Sequence, residues 1–194
     1  MRRCSHCSQE LSPLTRADAR YCAARCRVAA MRKRRNDTPF PEELVEQDRW
    51  IRRTVSKIPK QINNRNASST DPDTWTDYDT ADASKVGAGL GFVLNGDGII
   101  CIDIDHCFDN LGVLQPWARR FLNRLPNTYV ERSPSGNGLH VWGKANLPFG
   151  GKHVDMVGGR LEVYGNSRYL TMTGDAFGPS RRLADLTSTL TTIC

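Results

Sequence analysis

The segment Ile99-Ile100-Cys101-Ile102-Asp103-Ile104-Asp105 admits few folds. From Ile102 onward, apolar and acidic residues alternate with a period of two, and an extended strand is the structure that sends such residues to opposite faces. The reading is a strand whose isoleucines pack behind while Asp103 and Asp105 share the other face. Carboxylates so placed repel one another unless a cation sits between them, and hard oxygen ligands suit Mg²⁺ or Mn²⁺. Acidic residues at a strand end are also compatible with plain solvation, so other segments must decide.

Two other segments bear on that choice. Ser133-Pro134-Ser135-Gly136-Asn137-Gly138-Leu139-His140 is a Ser/Gly-rich loop running into a strand. Such a loop turns backbone N–H groups toward a phosphate, and His140 adds a donor for the same anion. Leu161-Glu162-Val163-Tyr164 places one carboxylate among apolar strand residues. An inward-facing Glu is costly unless paired or metal-bound, so Glu162 is the third candidate metal ligand.

The surrounding pattern mixes strands and helices. Asp71 suits an N-cap with Pro72 at the first helical position of a helix running toward Ala83. Gly89–Leu94 and Ile99–Asp105 read as strands, with Asn95-Gly96-Asp97-Gly98 as hairpin punctuation. Pro116–Leu125 has helical spacing. Thr128–Arg132, Leu139–Gly143, Arg160–Tyr164 and Arg168–Thr173 read as further strands, and Leu183–Leu190 as a closing helix. The expected class is α+β, a sheet with helices on one face. Trp75, Tyr78, Trp117 and Trp142 are read as core, while Lys57, Lys60 and Arg65 are either channel-lining or surface cations.

The N-terminus has a different character. Residues 1–36 hold 10 Lys+Arg against 2 Asp+Glu, a local charge of +8, whereas the remainder holds 17 against 19, a charge of −2. The basicity belongs to this head, and a block so charged suggests a polyanion partner. Its spacing Cys4-x2-Cys7-x14-Cys22-x3-Cys26 matches two knuckles of one tetrahedral Cys₄ site. The second pair is expected on a helix from Cys22 to Arg35. A head of this size buries too little apolar surface to fold alone, so structural Zn²⁺ supplies the missing free energy. Three regions follow: a zinc-binding basic head (1–36), a connector with a helix over Glu42–Arg53 (37–54), and a catalytic domain (55–194).

In order along the chain, Ile102-Asp103-Ile104-Asp105, Ser135-Gly136-Asn137-Gly138-Leu139-His140 and Leu161-Glu162-Val163 resemble the three motifs of the archaeo-eukaryotic primase superfamily. They are most similar to the primase-polymerase domains of phages, plasmids and mobile elements. The resemblance implies an RRM-like sheet beside a second small α/β unit. It implies Asp103, Asp105 and Glu162 as ligands of catalytic Mg²⁺ or Mn²⁺, with Ser135, Gly136 and His140 as nucleotide contacts. Arg168, in Arg168-Tyr169-Leu170-Thr171-Met172-Thr173-Gly174, is similarly placed to bind triphosphate. The implied activity is template-directed joining of dNTPs or NTPs on single-stranded DNA with release of pyrophosphate.

Two other classes stay open on the residues alone. A metal-dependent nuclease or phosphodiesterase would use the same acids, although Glu162-Val163-Tyr164 lacks the Lys of the common Glu-x-Lys pattern. A zinc-headed nucleic-acid-binding protein without catalysis would need neither. No phosphate-binding GxxxxGK[ST] segment is present in this sequence, so unwinding is assigned to a separate helicase. No run approaches ~20 apolar residues, and no apolar stretch follows Arg3, so the expected location is the cytoplasm, that of the bacterial host for a phage protein.

Overall fold

Among the described residues, ten strands stand beside five α-helices and one 3₁₀ turn. The computed structural model describes residues 2–147 and 151–193, with the backbone alone for 31–37. Two compact units form, Met1–Thr38 and Pro39–Cys194.

In the smaller unit the chain folds around its thiols. Ser8 takes a left-handed conformation (φ 59°), and its N–H returns to the Cys4 carbonyl at 2.9 Å, closing the first knuckle. Helix α1 spans Ala24–Asp37. Cys22 therefore stands before the helix and Cys26 inside its first turn, which corrects the helix expected from Cys22. The Ala23 carbonyl accepts the N–H groups of Cys26 and Arg27, so hydrogen bonding of the helical kind starts after Cys22. Cys4, Leu11 and Cys26 are buried, with Tyr21 and Cys22 against them. The side chains of Arg32, Lys33, Arg34 and Arg35, the basic end anticipated for phosphate contact, lie outside the described residues.

The larger unit has an α+β fold. Its first sheet is four-stranded, in the order β2-β1-β3-β9, and antiparallel. It comprises β1 (Trp50–Arg53), β2 (Pro59–Lys60), β3 (Gly89–Asn95) and β9 (Asn166–Met172). The second is six-stranded, in the order β10-β6-β4-β8-β7, with β5 also on β6. It comprises β4 (Ile99–Ile104), β5 (Val130–Arg132), β6 (Leu139–Lys144), β7 (Gly151–Met156), β8 (Gly159–Tyr164) and β10 (Ala184–Asp185). Residues 139–141 of β6 pair with β5 and residues 143–144 with β10. Helices α2 (Glu42–Val45), α3 (Tyr78–Ala83), α4 (Pro116–Leu122) and α5 (Thr187–Ile193) complete the unit.

Alternation along β4 sorts the core into two layers. Ile100, Ile102 and Ile104 pack with Leu139, Val141, Leu161 and Val163 against Trp117 and Phe121 of α4 and Leu190 of α5. Cys101 faces the opposite way and joins Trp50, Phe92, Trp142 and Tyr164 in the layer shared with the first sheet. There the rings meet edge to face, Phe92 to Trp142 at 5.8 Å and Trp50 to Phe92 at 5.3 Å.

Several elements depart from the sequence reading. Asn95-Gly96-Asp97-Gly98 does not close a hairpin, because β3 and β4 belong to different sheets. Arg49, nearly buried, donates to both carboxylate oxygens of Asp97 (3.1 and 2.8 Å) and to Asn95. That fork holds the turn where the chain passes between sheets. The helix expected over Glu42–Arg53 stops at Val45, because Trp50 and Ile51 are buried in β1 against β3. Asp71 caps as expected, accepting from the Asp73 N–H, but only a 3₁₀ turn follows (Pro72–Thr74). Asp77 then caps the separate α3. Strand β7 was not anticipated, since among its residues Val154 alone is buried.

Candidate active site

Strand register builds the site. Asp103 on β4 stands opposite His140 on β6 and Glu162 on β8. His140 in turn stands opposite Glu131 on β5, and Glu162 opposite His153 on β7. Directly opposed residues project to one face. The result is a row of five ionisable side chains across five strands: Glu131, His140, Asp103, Glu162, His153. Two residues along the chain from four of these positions lie Tyr129, Trp142, Cys101 and Tyr164, all in the apolar core. The same face thus passes from core to charge in one step of the pleat.

Asp103 is the row's least satisfied member. Its Oδ1 is buried without a hydrogen bond, and His140 Nε2 stands 3.8 Å from it. Burial pushes its carboxyl above the usual range; His140 and Lys57 oppose the shift, while Asp105 and Glu162 add to it. Glu162 is better held: Tyr164 OH donates to Oε2, and His153 Nδ1 lies 3.0 Å from Oε1. Burial and that hydrogen bond drive the Tyr164 hydroxyl upward, so it stays a donor.

The loop before β6 is closed by its own serines. Ser133 Oγ accepts the Gly138 N–H at 3.2 Å and meets Ser135 Oγ at 3.0 Å, while Ser135 Oγ accepts the Asn137 N–H at 3.3 Å. Gly136 adopts φ 73°, and a Cβ placed there would meet nothing within 4 Å, so its backbone faces open space. Gly138 is the opposite case: a Cβ there would lie 2.9 Å from the Ile104 carbonyl, so glycine lets the loop lie against the end of β4.

Asp105 lies past the last residue of β4 and is exposed. Among the described residues, the three acids do not form a metal-sized ligand group, and Asp105, expected on one strand face with Asp103, stands in the turn that follows the strand. Arg168 enters from β9, and its guanidinium lies 4.1 Å from the Tyr164 ring centroid, beside Glu162's hydroxyl donor. Sequence reasoning missed Glu131, His153, Tyr129 and Tyr164. Cross-strand register, invisible in the linear chain, brings Glu131 and His153 to the row, while Tyr129 and Tyr164 stand two residues from Glu131 and Glu162 along the chain and donate to them.

The chemistry at Asp103 suits a divalent cation, a buried carboxylate oxygen without a donor, while Glu162 and Asp105 do not close a ligand group around it. In the smaller unit, the ligating atoms of Cys4, Cys7, Cys22 and Cys26 all lie within 4.8 Å of one another. Backbone N–H groups, that of Cys7 foremost, hold the Cys4 thiol down at about 6. Hydrogen bonding to Cys26 and Cys7 pushes Cys22 up to about 12, so neighbouring thiolates need a cation to coexist. A tetrahedral thiolate-binding metal fits these four sulfurs.

Comparison with known proteins bears on both units. A DNA primase-polymerase of Nitratiruptor phage NrS-1 is 46% identical over 136 residues, 66% of this chain and 19% of that protein. The chain thus spans about a fifth of its phage relative's length. Residues 18–186 match the family model described as bifunctional DNA primase/polymerase, N-terminal. With the greater part of its length matched in this way, the chain belongs to the bifunctional DNA primase/polymerase N-terminal family.

Proposed function

We propose that this chain is a template-directed nucleotidyltransferase, joining dNTPs or NTPs on single-stranded DNA during replication of a phage or mobile element. The observation that carries the reading is Asp103: a buried carboxylate on a central strand, its Oδ1 without a donor, flanked across the ladder by Glu162 and His140. Asp103, Glu162 and Asp105 would hold Mg²⁺ or Mn²⁺, which supplies charge neutralisation at the attacking and leaving oxygens. His140, the Gly136 backbone, Ser135 and Arg168 contact the nucleotide and align its α-phosphorus with a 3′-hydroxyl. The O3′–P bond forms as the bond to the β-phosphate bridging oxygen breaks, and pyrophosphate leaves.

Cys4, Cys7, Cys22 and Cys26 would hold structural Zn²⁺, and the head's charge of +8 favours contact with template phosphates. Unwinding falls to a separate helicase. No helix among the described residues is long and apolar enough to cross a membrane, and we place the protein in the bacterial host cytoplasm.

The test is incorporation of labelled dNTPs and NTPs on a single-stranded template, with Mg²⁺ or Mn²⁺, with and without primer, beside an Asp103→Asn control. Metal-dependent products that vanish in the control support the reading. Degraded template without product would make the chain a nuclease, and binding without either reaction a non-catalytic module.

A further inference from the structure

Glu131 is the one member of the row with no exposure at all, and no sequence motif contains it. A buried carboxylate costs several kcal/mol unless its lone pairs are filled. Here they are filled unequally. Oε2 accepts from Tyr129 OH at 3.0 Å and from the Thr173 and Gly174 N–H groups at 3.1 and 2.9 Å. An oxygen that receives three hydrogens carries none of its own. Oε1 is left to one partner, His140 Nδ1 at 3.4 Å.

We propose that Glu131 is the positioning residue of His140, accepting the ring's Nδ1–H and so fixing Nε2, its lone-pair edge, toward Asp103. His140 is 3% exposed, and its ring spans the gap between the two acids, Nδ1 to Glu131 and Nε2 to Asp103 Oδ1 at 3.8 Å. A free imidazole flips and exchanges tautomers, and a carboxylate locked on one nitrogen removes both freedoms. The lock is anchored from outside the sheet. Thr173 and Gly174 follow β9, and Gly174 adopts φ 71° at the point where both N–H groups reach one oxygen. A purely structural staple would need Oε2 alone; the bond from Oε1 to the imidazole is the additional feature.

The kinetic consequence rests on the nucleotidyltransferase reading, and the tautomer does not. The chain has four histidines, so ¹⁵N-edited NMR of the zinc-loaded full-length protein, with a His140→Asn variant for assignment, resolves the ring. The expected spectrum has the His140 proton on Nδ1. In Glu131→Gln, whose amide carbonyl still accepts from Thr173 and Gly174, the amide N–H₂ faces Nδ1 and the proton moves to Nε2. The same variant is expected to lose about 10–100-fold in kcat/KM for the nucleotide, with the Kd for single-stranded DNA unchanged. A wild-type ring with bare Nδ1 overturns the proposal, as does a folded Glu131→Gln protein with an unaltered His140 signal. Where that variant fails to fold, the wild-type spectrum decides alone. Absence of incorporation by wild type, with the Nδ1 proton present, defeats the polymerase reading and leaves this one standing.

Discussion

Asp103 is costly to the fold when no cation is bound, and replacing it should stabilise the protein while abolishing synthesis. Its Oδ1 is buried without a hydrogen bond, in a side chain 19% exposed. An unsatisfied buried polar group costs about 1–3 kcal/mol, and Asp103→Asn removes the charge while keeping the volume. For a unit of this size each kcal/mol moves Tm by roughly 2–4 °C, so the variant should melt about 2–12 °C higher. The pH dependence fixes the sign. Burial raises the folded carboxyl above its unfolded value, so the native state binds the proton more tightly. The penalty is absent below the unfolded value near ~4 and grows as pH rises through the folded one. All four tryptophans, Trp50, Trp75, Trp117 and Trp142, lie in the larger unit, so their fluorescence follows its unfolding. The assay is thermal unfolding of zinc-loaded protein at pH 7 without added Mg²⁺ or Mn²⁺, then with them. Wild type should gain from the added cation and Asp103→Asn should not, and their difference should narrow toward pH 4. A variant that melts no higher than wild type at pH 7 without added cation refutes the reasoning.

Three further outcomes follow from packing and ligation. Gly159→Ala would place a Cβ 2.2 Å from the Trp117 ring, a rigid neighbour, and should destabilise by about 1–3 kcal/mol in chemical denaturation; an unchanged midpoint contradicts that packing. Asp97→Ala strips the nearly buried Arg49 of its bidentate partner. Because Asp97 is itself 39% exposed, the loss should be about 2 kcal/mol, below the 3–5 of a fully buried pair, and Asp97→Asn should recover part of it. Cys22→Ser removes the sulfur lying 3.6 Å from Cys7 and 3.5 Å from Cys26. Metal analysis should show about one zinc per chain in the parent and clearly less in the variant, and full retention would remove Cys22 from the site.

The acids on β4 and β8 were legible because each depends on one strand's own alternation, and the histidine on β6 because a Ser/Gly-rich loop runs into it. Glu131 and His153 were not, since their place in the row depends on the pairing of β5 with β6 and of β7 with β8. Asn95-Gly96-Asp97-Gly98 carried the local chemistry of a hairpin turn, yet Arg49, far away in sequence, holds it between two sheets. Trp50-Ile51-Arg52-Arg53 had helix-compatible composition, and burial of its first two residues against β3 overrode it. Local pattern thus points to Asp103, His140 and Glu162 as candidates, and tertiary pairing decides what each of them touches.

That pairing also explains why the fold tolerates so charged a row. Slipping β4 by one residue against β6 and β8 would turn Asp103 toward the layer of Ile100, Ile102 and Ile104, and those isoleucines toward the site. The cost of burying an unpaired carboxylate among α4 and α5 then disfavours the wrong register, while Cys101, Trp142 and Tyr164 favour the right one. Asp103 lies on a strand paired on both sides, where the backbone has least freedom. The flanking carboxylates, Glu131 and Glu162, are each tied by hydrogen bonds, leaving Oδ1 of Asp103 as the row's unsatisfied oxygen. The backbone is therefore held on both sides at the carboxylate proposed to meet a cation, and the same register that stabilises the sheet places Asp103 there.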